Sequence, residues 1–132
     1  MKRLIIDIDD TLCRTGPEGY QHSVIIEPVL QRIRQYRALG FTIVLHSSRN
    51  MRTYDGNLGM INANTLPNLI DWLARNNVDY DEIYVGKPWC GTDGFYVDDK
   101  AVRPIEFATM SYDEIRELLR MSNEELRNCG TE

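Results

Sequence analysis

The amino-acid sequence predicts an α/β domain, with a Rossmann-like, mainly parallel sheet flanked by helices. Three observations predict it. Short apolar runs such as Leu4-Ile5-Ile6 and Phe41-Thr42-Ile43-Val44-Leu45 alternate with segments whose apolar residues recur every three or four positions. The runs are apolar on both faces, as strands covered by helices on either side must be. Each run then delivers charged or hydroxyl residues, at the place where open parallel sheets bind ligands.

The elements follow in order. Residues 3–9 form the first strand. Residues 10–23, with Gly16, Pro17 and Gly19 among polar neighbours, read as a flap loop over the strand end. Glu27-Pro28 opens a helix with Val29, Leu30, Ile33 and Tyr36 on one face, and Gly40 stops it. Residues 41–45 are the second strand, which leads into His46-Ser47-Ser48-Arg49, and residues 50–64 read as a second loop. Thr65-Leu66-Pro67 begins a helix carrying Leu69, Ile70, Trp72 and Leu73, which fades at Asn76-Asn77. Residues 82–86 form a third strand ending at Lys87-Pro88, and Phe95-Tyr96-Val97 a fourth, running into Asp98-Asp99. The link between those two is short for a parallel crossover, which usually needs a dozen residues or more. Residues 101–110, interrupted by Pro104, read as irregular. Ser111-Tyr112-Asp113-Glu114 has the form of a capping box, and Ser122-Asn123-Glu124-Glu125 repeats it, so residues 111–128 read as two helices.

The 132 residues suit one domain, with no room for a separate cap domain. A net charge of −5 argues against duplex nucleic acid or an anionic membrane surface as the main partner, since both need a basic footprint. No apolar run approaches the length of a membrane span. The three cysteines, Cys13, Cys90 and Cys129, are widely spaced and form no metal or disulfide pattern, so the expected setting is cytoplasmic.

The first strand end is the chemical centre of the sequence. Asp7, Asp9 and Asp10 fall within four residues of one another, and like charges that close repel unless a cation offsets them. Asp7 and Asp9, two apart, share a direction if strand geometry continues. A nucleophilic carboxylate beside an acid/base carboxylate, both near a divalent metal, fits that arrangement. Ser47, Lys87 and Asp98-Asp99 each have an ordinary explanation alone, as strand-end or turn residues. Their joint occurrence at equivalent strand ends does not.

Taken together, these motifs resemble the haloacid dehalogenase (HAD) superfamily of phosphotransferases. The resemblance rests on Asp7-Ile8-Asp9-Asp10-Thr11, Ser47, Lys87 and Asp98-Asp99. The segments Ser47-Ser48-Arg49-Asn50-Met51-Arg52-Thr53-Tyr54 and Val85-Gly86-Lys87-Pro88-Trp89-Cys90-Gly91 are similar to the small capsular polysaccharide biosynthesis phosphatases of that superfamily. One departure is Asp10, where many relatives have Gly. The resemblance implies a HAD-like fold and a phosphomonoester hydrolase with an aspartyl-phosphate intermediate. Asp7 is then the nucleophile and Asp9 the general acid/base, while Ser47 and Lys87 hold the phosphoryl oxygens. The implied cofactor is Mg²⁺, held by Asp7, the Asp9 carbonyl and Asp98, with Asp99 on a metal water or on Lys87. The implied substrate is a phosphorylated small molecule or saccharide.

Ser48, Arg49, Arg52, Tyr54 and Trp89 are the candidate substrate contacts, because they flank Ser47 and Lys87. His46 should point away from Ser47. Cys13 and Cys90 read as packing residues, and Trp72 as core. The site is covered by the loops at 10–23 and 50–64 or by another subunit of a homo-oligomer. The competing reading is a receiver-like phospho-acceptor module, but there Lys comes last, whereas here Lys87 precedes the final acidic pair. A polynucleotide or nucleotide end phosphatase of the same superfamily is the other alternative.

Overall fold

The computed structural model describes residues 1–130, which fall into two compact units, residues 1–89 and residues 90–130. The first unit is an α/β structure built on three parallel strands in the order β1-β4-β5. Strand β1 (Arg3–Asp7) pairs with β4 (Thr42–His46) from Arg3 opposite Thr42 to Asp7 opposite His46. Strand β5 (Glu82–Tyr84) pairs with the other edge of β4, with Leu45 opposite Ile83. The central strand is hydrophobic on both faces because both are covered, and Ile43, Val44 and Leu45 are essentially inaccessible.

Helix α1 (Glu27–Ala38) connects β1 to β4. Pro28 sits in its first turn, where the missing N–H costs nothing. Val29, Leu30, Ile33 and Tyr36 face the core as the spacing predicts. Gly40 ends the helix at φ +93°, and the Tyr36 ring meets Phe41 edge-on at 5.0 Å as the chain enters β4. The Asp81 carboxylate then accepts the Ile43 N–H at 2.8 Å and ties the approach of β5 to the start of β4.

The second connection departs from the expected long loop. Asn57 accepts the Met60 N–H and caps a short helix α2 (Leu58–Met60). This continues through a π-helical turn at Ile61–Thr65 into α3 (Leu66–Arg75). Residues 58–64 are therefore helical, because Leu58 and Ile61 extend the apolar period upstream of Leu69, Trp72 and Leu73. Ile61 and Trp72 are fully packed, each contributing about 2–3 kcal/mol of burial.

The flap at 10–23 also carries structure. Strands β2 (Cys13–Arg14) and β3 (Val24–Ile25) form an antiparallel pair, with a 3₁₀ turn at Tyr20–His22 between them.

In the second unit, Pro104 opens helix α4 (Pro104–Thr109) instead of interrupting an irregular stretch. Ser111 caps α5 (Tyr112–Cys129) through the Glu114 N–H, and Glu114 reaches back to the Ser111 N–H. The second expected cap does not form, and residues 111–128 hold one helix and not two. Nothing breaks the helix at Met121, and Arg120 pairs with both Glu117 and Glu124 across the expected break. The expected fourth strand is absent: residues 95–97 lie outside any strand, with Phe95 and Val97 exposed. Strand composition alone does not make a strand without a hydrogen-bonded neighbour. Among the described residues, no helix is long and apolar enough to cross a membrane.

Candidate functional site

The carboxyl ends of β1, β4 and β5 bring three of the anticipated residues to one edge of the sheet. Asp7 closes β1. Ser47 follows β4, and its N–H donates to the Tyr84 carbonyl at 2.9 Å. The Lys87 N–H donates to the Ser47 carbonyl at 3.1 Å, so the pairing of β4 with β5 extends past the regular strands and delivers Lys87 beside Ser47. Gly86 makes this turn at φ +84°, and an added Cβ there would stand 2.5 Å from Leu58 Cδ2. Lys87 Nζ lies 3.3 Å from Asp7 Oδ1, and Thr11 Oγ1 donates to Asp7 Oδ2 at 3.1 Å. Asp7 is therefore held from both oxygens and still keeps a partly exposed side chain.

Beyond Asp7 the chain wraps around one carbonyl. The N–H groups of Thr11, Leu12 and Cys13 all donate to the Ile8 carbonyl. Asp10 adopts φ +61° to allow it, a backbone region that Gly occupies freely and Asp tolerates. This explains why the Asp10 departure leaves the turn intact.

Arg49, a candidate substrate contact on its sequence position, packs against Asp9. Its side chain is 3% exposed and forms a fork on Asp9, with Nε 2.9 Å from Oδ2 and Nη2 3.0 Å from Oδ1. The guanidinium lies 4.4 Å from the Tyr20 ring centroid and 5.7 Å from that of Trp72. The Arg49 N–H donates to Ser47 Oγ at 3.0 Å, which fixes the turn between the two. Thr15 Oγ1 donates to Asp9 Oδ1 at 2.9 Å and shares a 2.7 Å hydrogen bond with Ser23 Oγ, while Trp72 Nε1 donates to the Ser23 carbonyl. The flap is thereby tied to the acidic site by side chains as well as by its hairpin.

Thr15, Tyr20 and Ser23 escape sequence reasoning. The only local signal is a hydroxyl and an aromatic residue interleaved with the flap glycines.

The remaining candidates are more loosely placed. Ser48 is half-buried, Arg52 exposed, Tyr54 half-buried and Trp89 exposed at the end of the first unit. Asp98 and Asp99 belong to the second unit and are exposed. The Lys100 N–H donates to Asp98 Oδ1 at 3.0 Å and, with a further hydrogen bond from Asp99, holds the Asp98 carboxyl below its ordinary range. Cys13 is fully buried, and desolvation, then the Asp9 charge, pushes its thiol up to about 11. That makes it a packing group and no nucleophile. His46 is held below its ordinary value by desolvation and then by Lys87.

Among the described residues, no three His, Cys, Asp or Glu side chains gather into a metal cluster. Mg²⁺ does not require one. It retains waters and takes one or two carboxylates together with substrate phosphate. The partly exposed Asp7 carboxylate, a hard oxygen donor at the site, fits that demand.

No family model and no curated protein matches the chain. A crystal structure of a structural-genomics target from Vibrio cholerae is similar to it, with 51% identity and a TM-score of 0.90. The match covers 92% of this chain and 99% of that one, and the chain belongs to the same family as that protein.

Proposed function

We propose that the chain is a phosphomonoester hydrolase acting through an aspartyl-phosphate on Asp7. The observation that carries this reading is the meeting of Asp7 with Lys87 Nζ at 3.3 Å, where the chain leaves adjacent parallel strands. Ser47 is joined to Lys87 by a backbone hydrogen bond. A carboxylate nucleophile beside a lone ammonium and a strand-end hydroxyl suits a phosphoryl group better than any uncharged electrophile. The HAD resemblance of the sequence supports the same assignment.

In this reading an Asp7 carboxylate oxygen attacks phosphorus in line. The new O–P bond forms as the bond to the leaving oxygen breaks. Asp9 gives that oxygen its proton. The Arg49 fork and the Thr15 hydroxyl hold the Asp9 carboxyl group in one orientation for that transfer. Asp9 then takes a proton from the water that attacks the phosphoenzyme, releasing phosphate and restoring Asp7. Lys87 offsets the charge on the phosphoryl oxygens, and Ser47 donates to one of them. Within the first unit, Asp7 and the Asp9 carbonyl would hold Mg²⁺, which would supply further charge neutralisation at the phosphoryl group.

Asp7→Asn keeps the shape of the site and removes the attacking charge. Hydrolysis of p-nitrophenyl phosphate should fall by roughly three orders of magnitude or more, as losses of covalent catalysts do. Activity retained in that variant, or in EDTA, overturns the mechanism.

A further inference from the structure

A pocket of about 290 Å³ lies within the first unit, lined in part by Arg49, the partner of Asp9. It is lined by Tyr20 and Gln21 of the flap, by Arg49 and Asn50 after β4, and by Asn64 and Asn68 of the π-helical turn and α3. We infer that this pocket is a binding subsite for an uncharged, polyhydroxylated ring: the part of the substrate beyond its phosphate. The role as leaving-group site rests on the phosphatase reading. The binding itself does not.

Four observations carry the inference. The first is the lining, in which four of the ten residues, Gln21, Asn50, Asn64 and Asn68, carry amides. An amide presents one acceptor and two donor hydrogens, the complement of a hydroxyl that both gives and accepts. Asn64 Nδ2 donates to the Met60 carbonyl at 3.0 Å and Asn68 Nδ2 to the Asn64 carbonyl at 3.3 Å. Each amide is thus pinned by one bond while its oxygen is left for a ligand.

The second is charge. The one arginine in the lining is already matched by Asp9, Glu18 is exposed at the edge, and His22 also lines the pocket, so no lysine or unmatched arginine awaits an anionic ring. Arg49 is spent on Asp9, and Arg52 does not line the pocket.

The third is the link to catalysis. The fork on Asp9 uses Nε and Nη2 of Arg49, which leaves the Nη1 edge of the same guanidinium for a ligand oxygen. One side chain therefore both orients the acid/base and lines the pocket.

The fourth is the backbone. Asn64 and Thr65 come from a π-helical turn, a widened turn found frequently at functional sites. Thr65 Oγ1 donates to Asn50 Oδ1 at 2.7 Å and fixes the turn to the residue that follows Arg49. Asn50 itself has φ +59°, so the chain turns back at the pocket wall. Tyr20 supplies the remaining wall, its ring 37% exposed, with an apolar body for the C–H faces of a ring and a polar tip.

The test is titration of nitrogen-labelled protein with glucose and N-acetylglucosamine, with glucuronate and adenosine as contrasts, followed by two-dimensional NMR. A saturable shift at Tyr20, Asn64 and Asn68 with a neutral sugar is expected, weakened ~10-fold in Asn68→Leu and in Asn64→Leu, the scale of one or two lost hydrogen bonds. Both asparagines are exposed, so the variants should fold, which the same spectra report. In parallel, the ratio of kcat/KM for glucose 6-phosphate to that for p-nitrophenyl phosphate should drop ~10-fold in either variant. Tighter binding of glucuronate or adenosine overturns the chemical class, and no saturable shift with either neutral sugar overturns the pocket. Wild-type protein inactive on both esters overturns the phosphatase reading alone, and the titration still decides the pocket.

Discussion

Arg49→Met removes a guanidinium whose side chain is 3% exposed and whose fork grips both oxygens of Asp9. Methionine fills much of the volume, so the main loss is electrostatic: Asp9 is left near the core without its cation. Breaking a fully buried pair by removing one partner costs about 3–5 kcal/mol. The Asp9 side chain retains 25% exposure, so water compensates in part, and about 2–3 kcal/mol is the expected share of the pair. Losing the contact with the Tyr20 ring adds about 0.5–1 kcal/mol. The total of about 3 kcal/mol corresponds to a Tm lower by roughly 10 °C for a chain of this size. Urea unfolding followed by the fluorescence of the buried Trp72 measures it, with Asp9→Asn and the double variant completing a cycle. A coupling energy of at least ~1.5 kcal/mol is expected, and Arg49→Lys, which keeps charge but loses the fork, should fall between wild type and Arg49→Met. A coupling below about 0.5 kcal/mol would show that the pair is a geometric coincidence, and the account of how Asp9 is oriented would fail with it.

Three further predictions follow from the same geometry. Asp9→Asn leaves the nucleophile in place and removes the acid/base, so acid-quenched reactions with p-nitrophenyl phosphate should contain more phosphoenzyme than wild type; finding none would give Asp9 another role. Gly86→Ala forces a Cβ onto φ +84° and against Leu58, so stability should fall by about 1–2 kcal/mol in chemical unfolding, and a neutral result would show that the backbone there can relax. His46 has a folded-state value below its ordinary 6.5, so the unfolded chain takes up the proton first as pH falls through that value. Stability should therefore decline with falling pH in that window, His46→Gln should remove that part of the slope, and an unchanged slope would mean that desolvation by burial and Lys87 do not act on the ring.

The sequence by itself determined the three strands of the parallel sheet and the positions of chemistry on them. An apolar run covered on both faces has few alternatives to a central strand, and the residues that follow it must emerge at its carboxyl end. Asp7, Ser47 and Lys87 were legible for that reason: each is placed by its own strand. The same local logic located Val29, Leu30, Ile33 and Tyr36 on the buried face of α1.

Where local signals were ambiguous, tertiary structure decided. Residues 95–97 have strand composition, but a strand needs a hydrogen-bonded neighbour, and composition does not supply one. Residues 58–64 look like loop because their apolar residues are sparse, yet packing of Ile61 carries the helix through them. Arg49 shows the limit most clearly. An arginine beside a strand-end serine reads as a substrate contact, and nothing within several residues points to its ion pair with Asp9. Its burial is set by Asp9, 40 positions earlier, and by Tyr20 and Trp72 from two other segments. A buried cation is stable only when its partners arrive together, and that is a property of the folded chain and of no single stretch of it.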